Sequence, residues 1–313
     1  MSTPQEAFDP QKKIAVQWHG KRYYSLEAYL KNHYGYRIKK LSLDAGFTCP
    51  NRDGTLDTRG CIFCSAGGSG EFAVAPVSAI STEPYIAYFQ AYTCTYGPRQ
   101  KLEALYRNAL EQPLVRGISI ATRPDCLPLE VLSLLEQLHR DYPEKFIWIE
   151  LGLQTIHEQT ALYIRRGYTL DCFQKAVYAL DELSLPVIVH TILGLPGEDK
   201  AMMLATMEYL NTLPISGIKL QLLHILRGTD LALDYEKGLF KEMTMDEYVE
   251  ILIQCIERLS PHIVIHRVTG DGPKDLLIAP IWSTDKKKVL NTLHHRMKLQ
   301  NSYQGKYQNM LRP

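Results

Sequence analysis

No stretch of this 313-residue chain approaches eighteen consecutive apolar residues, and its opening residues lack a basic-then-apolar signal pattern. A membrane-spanning helix and a secretory leader are thereby set aside, and a cytoplasmic protein is expected. No internal repeat and no low-complexity linker is visible. Cysteine is too scarce and too uneven for a disulfide framework: there are seven, an odd number, in a chain without a secretion signal. The rest is ordinary for a globular protein, 45% hydrophobic and 22% charged. Its length suits one large α/β barrel or two smaller domains.

Three of the cysteines stand together. Cys49, Cys61 and Cys64 lie in a polar, glycine-rich stretch from Thr48 to Gly70, with eleven residues between the first two and two between the last two. Three thiolates with no fourth nearby suit a [4Fe–4S] cluster that keeps one iron open, whereas closed clusters take four. The Gly67-Gly68-Ser69-Gly70 run beside them lets a small molecule approach the backbone. Zinc is the rival, with Asp53, Asp57 or a distant histidine completing the set. Free thiols in such a loop would oxidise readily. Cys94, Cys126, Cys172 and Cys255 are scattered in apolar or helical contexts and read as free thiols.

Short apolar runs alternate with amphipathic segments along the body of the chain. Strands are expected at 38–43, 86–92, 117–122, 146–153, 187–193 and 217–223, with helices near 99–111, 129–142, 170–183 and 201–210. Parallel neighbours need helical crossovers, so this alternation argues for a parallel sheet. A short helix precedes it at 23–30. A further helix at 246–259, an apolar strand at 263–268 and a lysine-rich polar tail follow. The expected division is a basic extension over 1–37, a catalytic core over 38–270 and a basic tail over 271–313.

In parallel α/β folds chemistry gathers at the carboxyl ends of strands. The third strand ends in Thr122-Arg123-Pro124-Asp125, a charged cluster that also reads as a proline turn. The fourth carries Glu150, costly to bury without a partner, with Gln154 at even separation and therefore on the same face. The fifth runs through His190 into Gly194-Leu195-Pro196-Gly197-Glu198, and His190 itself reads as a core histidine. The sixth holds Lys219, Gln221 and His224.

Taken together, the cysteine loop, Thr122–Asp125, Glu150–Thr155, Arg166-Gly167-Tyr168-Thr169 and Gly194–Glu198 resemble the radical S-adenosylmethionine superfamily. The long first cysteine spacing is similar to that of the Elongator catalytic subunit and its small bacterial relatives, where the commonest pattern elsewhere is three residues, then two. The resemblance spans roughly residues 38–270. It implies a partial (βα)6 TIM-like barrel with basic N- and C-terminal extensions, a [4Fe–4S] cluster on Cys49, Cys61 and Cys64, and S-adenosylmethionine on its open iron, cleaved to a 5′-deoxyadenosyl radical. It further places Gly67 and Gly68 at the methionyl amino group, and Glu150 and Gln154 near the ribose or methionyl part. Arg166 falls near the carboxylate, and Ile192, Gly194 and Leu195 beside adenine. Lys219, Gln221, His224 and Asp125 are candidates to hold the substrate. An electron donor of flavodoxin or ferredoxin type is implied, with a downstream methyltransferase as a further partner. Elongator's acetyltransferase domain has no counterpart in the thirty-one residues after Trp282, so acetyl-CoA chemistry is not implied.

Charge adds a substrate expectation. The net charge of +1 hides +7 over residues 11–40, +6 over 283–313 and −10 over 41–282. Lys21, Arg22, Arg37, Lys39 and Lys40 at one end, and Lys286, Lys287, Lys288, Arg296 and Lys298 at the other, offer phosphate contacts. Trp18, Tyr23, Tyr24, Tyr34 and Tyr36 offer stacking faces for unpaired bases. The resemblance implies work on the C5 side chain of tRNA wobble uridine, one such step trimming carboxymethylaminomethyl to aminomethyl. The alternatives are a radical enzyme on a small molecule and a non-catalytic iron–sulfur or zinc tRNA-binding module.

Overall fold

The computed structural model describes residues 9–75, 81–270 and 272–308. In chain order its strands are β1 (Lys39–Leu43), β2 (Tyr85–Phe89), β3 (Val115–Thr122), β4 (Phe146–Gln154), β5 (Val187–Leu193), β6 (Gly217–Leu222), β7 (Ile225–Leu226), β8 (Val264–Arg267) and β9 (Leu277–Ala279). Strands β1 to β6 and then β8 form one curled, wholly parallel sheet in that order, a partial barrel. Strands β7 and β9 make a separate antiparallel pair. The seventh strand is the apolar run that the sequence left outside the six. Two helices rather than one lie between β6 and β8, which hides the alternation there.

The first helices are α1 (Pro10–Lys12), continued by a π turn to Gln17, and α2 (Leu26–Tyr34). Crossovers are made by α3 (Arg99–Glu111), α4 (Leu129–Asp141), the short α5 (Glu158–Tyr163) with α6 (Leu170–Glu182), α7 (Lys200–Leu210), and α8 (Asp230–Glu236) with α9 (Met245–Arg258). Their apolar stripes cover the outer face of the sheet. Ala87, Phe89, Ile118, Ile120, Ile149, Leu151, Val187, Val189, Ile218 and Leu220 alternate along the strands into that layer. Each such side chain contributes about 1.5–3 kcal/mol on burial.

The inner face is graded. At the amino ends of the strands Ile38, Ile86, Trp148 and Ile188 pack against Leu30 of α2, which closes that end of the barrel. One layer further along come Lys40, Tyr88, Ser119, Glu150, His190 and Lys219, a polar belt. The carboxyl ends open above it.

Both basic ends are built into the fold. Trp18, Tyr23 and Tyr24 are buried, at 0%, 4% and 7% exposure, and the Ile265 amide donates to the Tyr24 carbonyl at 2.8 Å. These rings are therefore core, which corrects their assignment as stacking faces. The lysine-rich tail is largely a helix, α10 (Lys286–Leu299). Asp285 caps it by accepting from the Lys288 amide, and Val289, Leu293 and Met297 bury one stripe at successive i, i+4 positions. Residues 1–8 and 309–313 of the two ends lie outside the described residues.

Candidate active site

The carboxyl ends of the strands surround a cavity of about 510 Å³. Cys49, Cys61 and Cys64 line it together with Gly68, Glu150, Gln154, Ile192, Lys219, Gln221 and His224. Strand β1 delivers the chain into the cysteine loop, which folds back on itself. The amides of Arg52 and Asp53 donate to the Cys49 carbonyl at 2.8 and 3.1 Å, Leu56 donates to Pro50, and Gly60 donates to Asn51 at 2.7 Å. The glycine turn that follows is sterically required at Gly68. Its φ is +60°, and an added Cβ would lie 2.4 Å from the Tyr92 ring. Gly67 packs against Glu71 behind it.

Burial pushes the Cys61 thiol up to about 12, with Cys64 and Cys49 adding to the rise and Arg123 and Asn51 opposing it. Cys64 is raised for the same leading reason, opposed by Arg52. Cys61 and Cys64 thus sense the neighbouring sulfurs, and a bound cation would favour their thiolate forms. Among the described residues no three His, Cys, Asp or Glu side chains are gathered tightly enough for a single metal ion. The three cysteine thiols border one cavity and match in number the thiolates of a cluster that keeps one iron open.

Beneath the cysteines the polar belt is one network centred on Glu150, whose side chain is wholly buried. Oε1 accepts from Lys40 Nζ and Ser119 Oγ, each at 2.5 Å. Oε2 meets His190 Nε2 at 2.6 Å and the Lys219 ammonium. Lys219 also donates to the Tyr88 hydroxyl at 2.9 Å. Burial alone would raise the Glu150 carboxyl, but Lys219, Lys40 and His190 outweigh it and hold it well below the usual range. Burial drives Lys219 down to about 7; Lys40 and Arg267 add to that shift and Glu150 opposes it. Burial likewise holds His190 at about 4. His224 also sits at about 4, through burial and then the charges of Arg267 and Lys286, and among the described residues its buried Nε2 has no hydrogen-bond partner.

Arg166 lines the cavity, yet it is 1% exposed and its guanidinium donates to the carbonyls of Leu153, Thr155 and Tyr168, with Glu158 beside it, so it also ties down the turn after β4. Other sequence expectations land elsewhere. Asp125 is absent from the cavity lining and forks onto Arg123 at 2.9 and 2.7 Å. Leu195 packs with Ile62 and Ile164 in a small core, and Gly194, at φ +85°, packs against Met243; neither lines the cavity. Gln154 stays on the cavity side as a left-handed residue at a bulge, φ +62°.

The basic residues divide as well. Lys40 points inward to Glu150 and is removed from any outer surface. Lys21 pairs with Glu27, Lys39 with Glu83 and Arg296 with Asp246, while Arg22 holds Asn301 and the Ser302 carbonyl. Arg37 and Lys39 sit at the amino end of β1, opposite the cysteines. None of the described residues of α10 lines the cavity, but the charge of Lys286 in its first turn acts on His224, which does. The sequence reading gives Lys40 to phosphate and His190 to the core and leaves out Tyr88, whereas all three join the network around Glu150. Their signal is the two-residue alternation: in β1, Leu41 and Leu43 face the helices, which turns Lys40 and Ser42 inward.

Residues 58–210 match the family model of the radical SAM superfamily, and residues 215–299 match that of the Radical_SAM C-terminal domain. The Bacillus subtilis protein YtqA is 42% identical over 302 residues, covering 92% of this chain and 93% of YtqA. The chain belongs to the radical SAM superfamily. As such it uses a [4Fe–4S] cluster and S-adenosylmethionine, and it needs an electron donor. The tRNA uridine(34) acetyltransferase of Methanocaldococcus jannaschii is 26% identical over 167 residues, covering 52% of this chain and 29% of that protein. The solved structure of archaeal Methanocaldococcus infernus Elp3 shares the fold, with a TM-score of 0.62 at 17% identity, over 72% of this chain and 56% of that one.

Proposed function

We propose that this radical SAM protein modifies the C5 side chain of tRNA wobble uridine, trimming carboxymethylaminomethyl to aminomethyl. The observation that carries the reading is one cavity that joins the three cysteines to Lys219, Gln221 and His224, with Lys286 of α10 near enough for its charge to act on His224. Likeness over half the chain to a protein named for tRNA uridine(34) supports the substrate class. Cys49, Cys61 and Cys64 would hold the cluster, Gly68 and Gln154 would border S-adenosylmethionine, and together these groups supply a 5′-deoxyadenosyl radical when bound.

The protein's own share is placement. Lys286, Lys287 and Lys288 meet backbone phosphate at the rim and leave an unpaired base free to enter. Lys219, held at about 7, and His224 face the entering side chain and can carry a proton at Nζ or Nε2. Glu150 fixes Lys219 and His190 in place.

Deleting the gene and digesting total tRNA to nucleosides tests this. The expected result is accumulation of the carboxymethylaminomethyl uridine with loss of the aminomethyl form. An unchanged nucleoside profile overturns the reading and leaves a small-molecule substrate in its place.

A further inference from the structure

The second and third residues after Cys49 place their side chains against the other two cysteines. Asn51 is 2% exposed. Its Nδ2 lies 3.5 Å from Cys61 Sγ and also donates to the Arg165 carbonyl at 2.8 Å, which fixes the amide's orientation. Gly167, at φ +82°, makes room for it: a Cβ there would lie 2.7 Å from Asn51 Oδ1. Arg52 turns the other way. Its NH2 donates to the carbonyls of Cys64 at 2.6 Å and Ser65 at 2.7 Å, so these bonds engage backbone rather than a carboxylate. Gly60 lets the guanidinium lie flat, since a Cβ would be 2.8 Å from its Nε.

We propose that Asn51 and Arg52 set the reduction potential of the cluster held by Cys49, Cys61 and Cys64, the first by an N–H donated to a ligand sulfur and the second by a positive charge beside Cys64. Reduction adds one electron, from an external donor, and so one negative charge to the cluster. Hydrogen bonds to sulfur and nearby positive charge stabilise that extra charge and raise the potential. Both are positioning residues, since they act through the cluster ligands. The inference takes the three cysteines as ligands and does not depend on the substrate.

The test is a dithionite titration of the anaerobically reconstituted full chain, followed by electron paramagnetic resonance, which reports only loaded cluster. For Asn51→Leu and for Arg52→Gln the reduced-to-oxidised ratio at a fixed potential falls about tenfold, equal to ~59 mV for a one-electron couple. Arg52→Lys keeps the charge and titrates near the wild type. Poor loading does not hide the result, because the loaded fraction still titrates. Wild-type values for both Asn51→Leu and Arg52→Gln overturn the proposal. So does an Arg52→Lys shift as large as that of Arg52→Gln, which would mean a purely structural arginine. A Cys61→Ala control that still holds a full cluster would instead sink the ligand assignment.

Discussion

Glu150 carries two ammonium groups and an imidazole on one carboxylate, and that arrangement makes its removal costly. Glu150→Gln leaves Lys40 and Lys219 buried without their counter-charge, and breaking one side of a buried pair costs about 3–5 kcal/mol. Urea unfolding of the variant against wild type measures it. Lys219→Met added to Glu150→Gln costs less than the sum of the two single changes, because both act on the same contact. A fully additive double variant would show that the network is not coupled.

Buried histidines, His190, His224 and His266 among them, give the molecule an acid-sensitive side. His190 and His224 sit at about 4 when folded, below the ordinary value of 6.5. Between those values the unfolded chain binds more protons, so stability is present above about pH 6.5 and is lost as pH falls toward 4. Thermal unfolding of the cluster-free protein at pH 7 and pH 5 reads this, and His224→Gln makes the difference between the two pH values smaller. At this scale the meeting of the three cysteines and Lys219 on one cavity was legible from residue type and spacing. The partners that Arg166 and Asp125 take were not, because each bonds to groups brought in by the fold: distant backbone carbonyls in one case, a guanidinium locked by its own turn in the other.

Among the elements, β3 and β4 show how closely the inner face is packed. A Cβ on Gly117 would lie 2.4 Å from both the Phe146 ring and its carbonyl oxygen. Gly117→Ala therefore forces the two central strands apart and costs about 1–3 kcal/mol, the range for overpacking, readable as a lower urea midpoint with an unchanged slope. Six strands and the main helices from α3 to α7 were visible as alternating apolar runs, while the short α5 was not. The seventh strand was seen without its place in the sheet. Helix α10 was read as a tail because three successive lysines, Lys286 to Lys288, mask a buried stripe that recurs only every fourth residue.

For the whole molecule the charge pattern has to be reread. Basic residues at the two chain ends looked like two arms on an acidic body. The fold spends most of the first on ion pairs and core packing at the closed end of the barrel, and leaves the start of α10 beside the open one. RNA affinity should then depend on one end only. Replacing exposed Lys287 and Lys288 by Gln weakens tRNA binding and reduces the slope of log K against log salt by roughly one to two, whereas Arg37→Gln leaves that slope unchanged. A filter-binding series across salt concentrations separates the two.

The central claim, radical chemistry on a tRNA side chain, is met most directly by one reaction. Cluster-loaded protein is mixed anaerobically with dithionite, S-adenosylmethionine and tRNA bearing carboxymethylaminomethyl uridine, and both 5′-deoxyadenosine and the digested nucleosides are quantified. The account predicts that 5′-deoxyadenosine and aminomethyl uridine appear together, and that both vanish in Cys61→Ala. Formation of 5′-deoxyadenosine with the tRNA unchanged would contradict it.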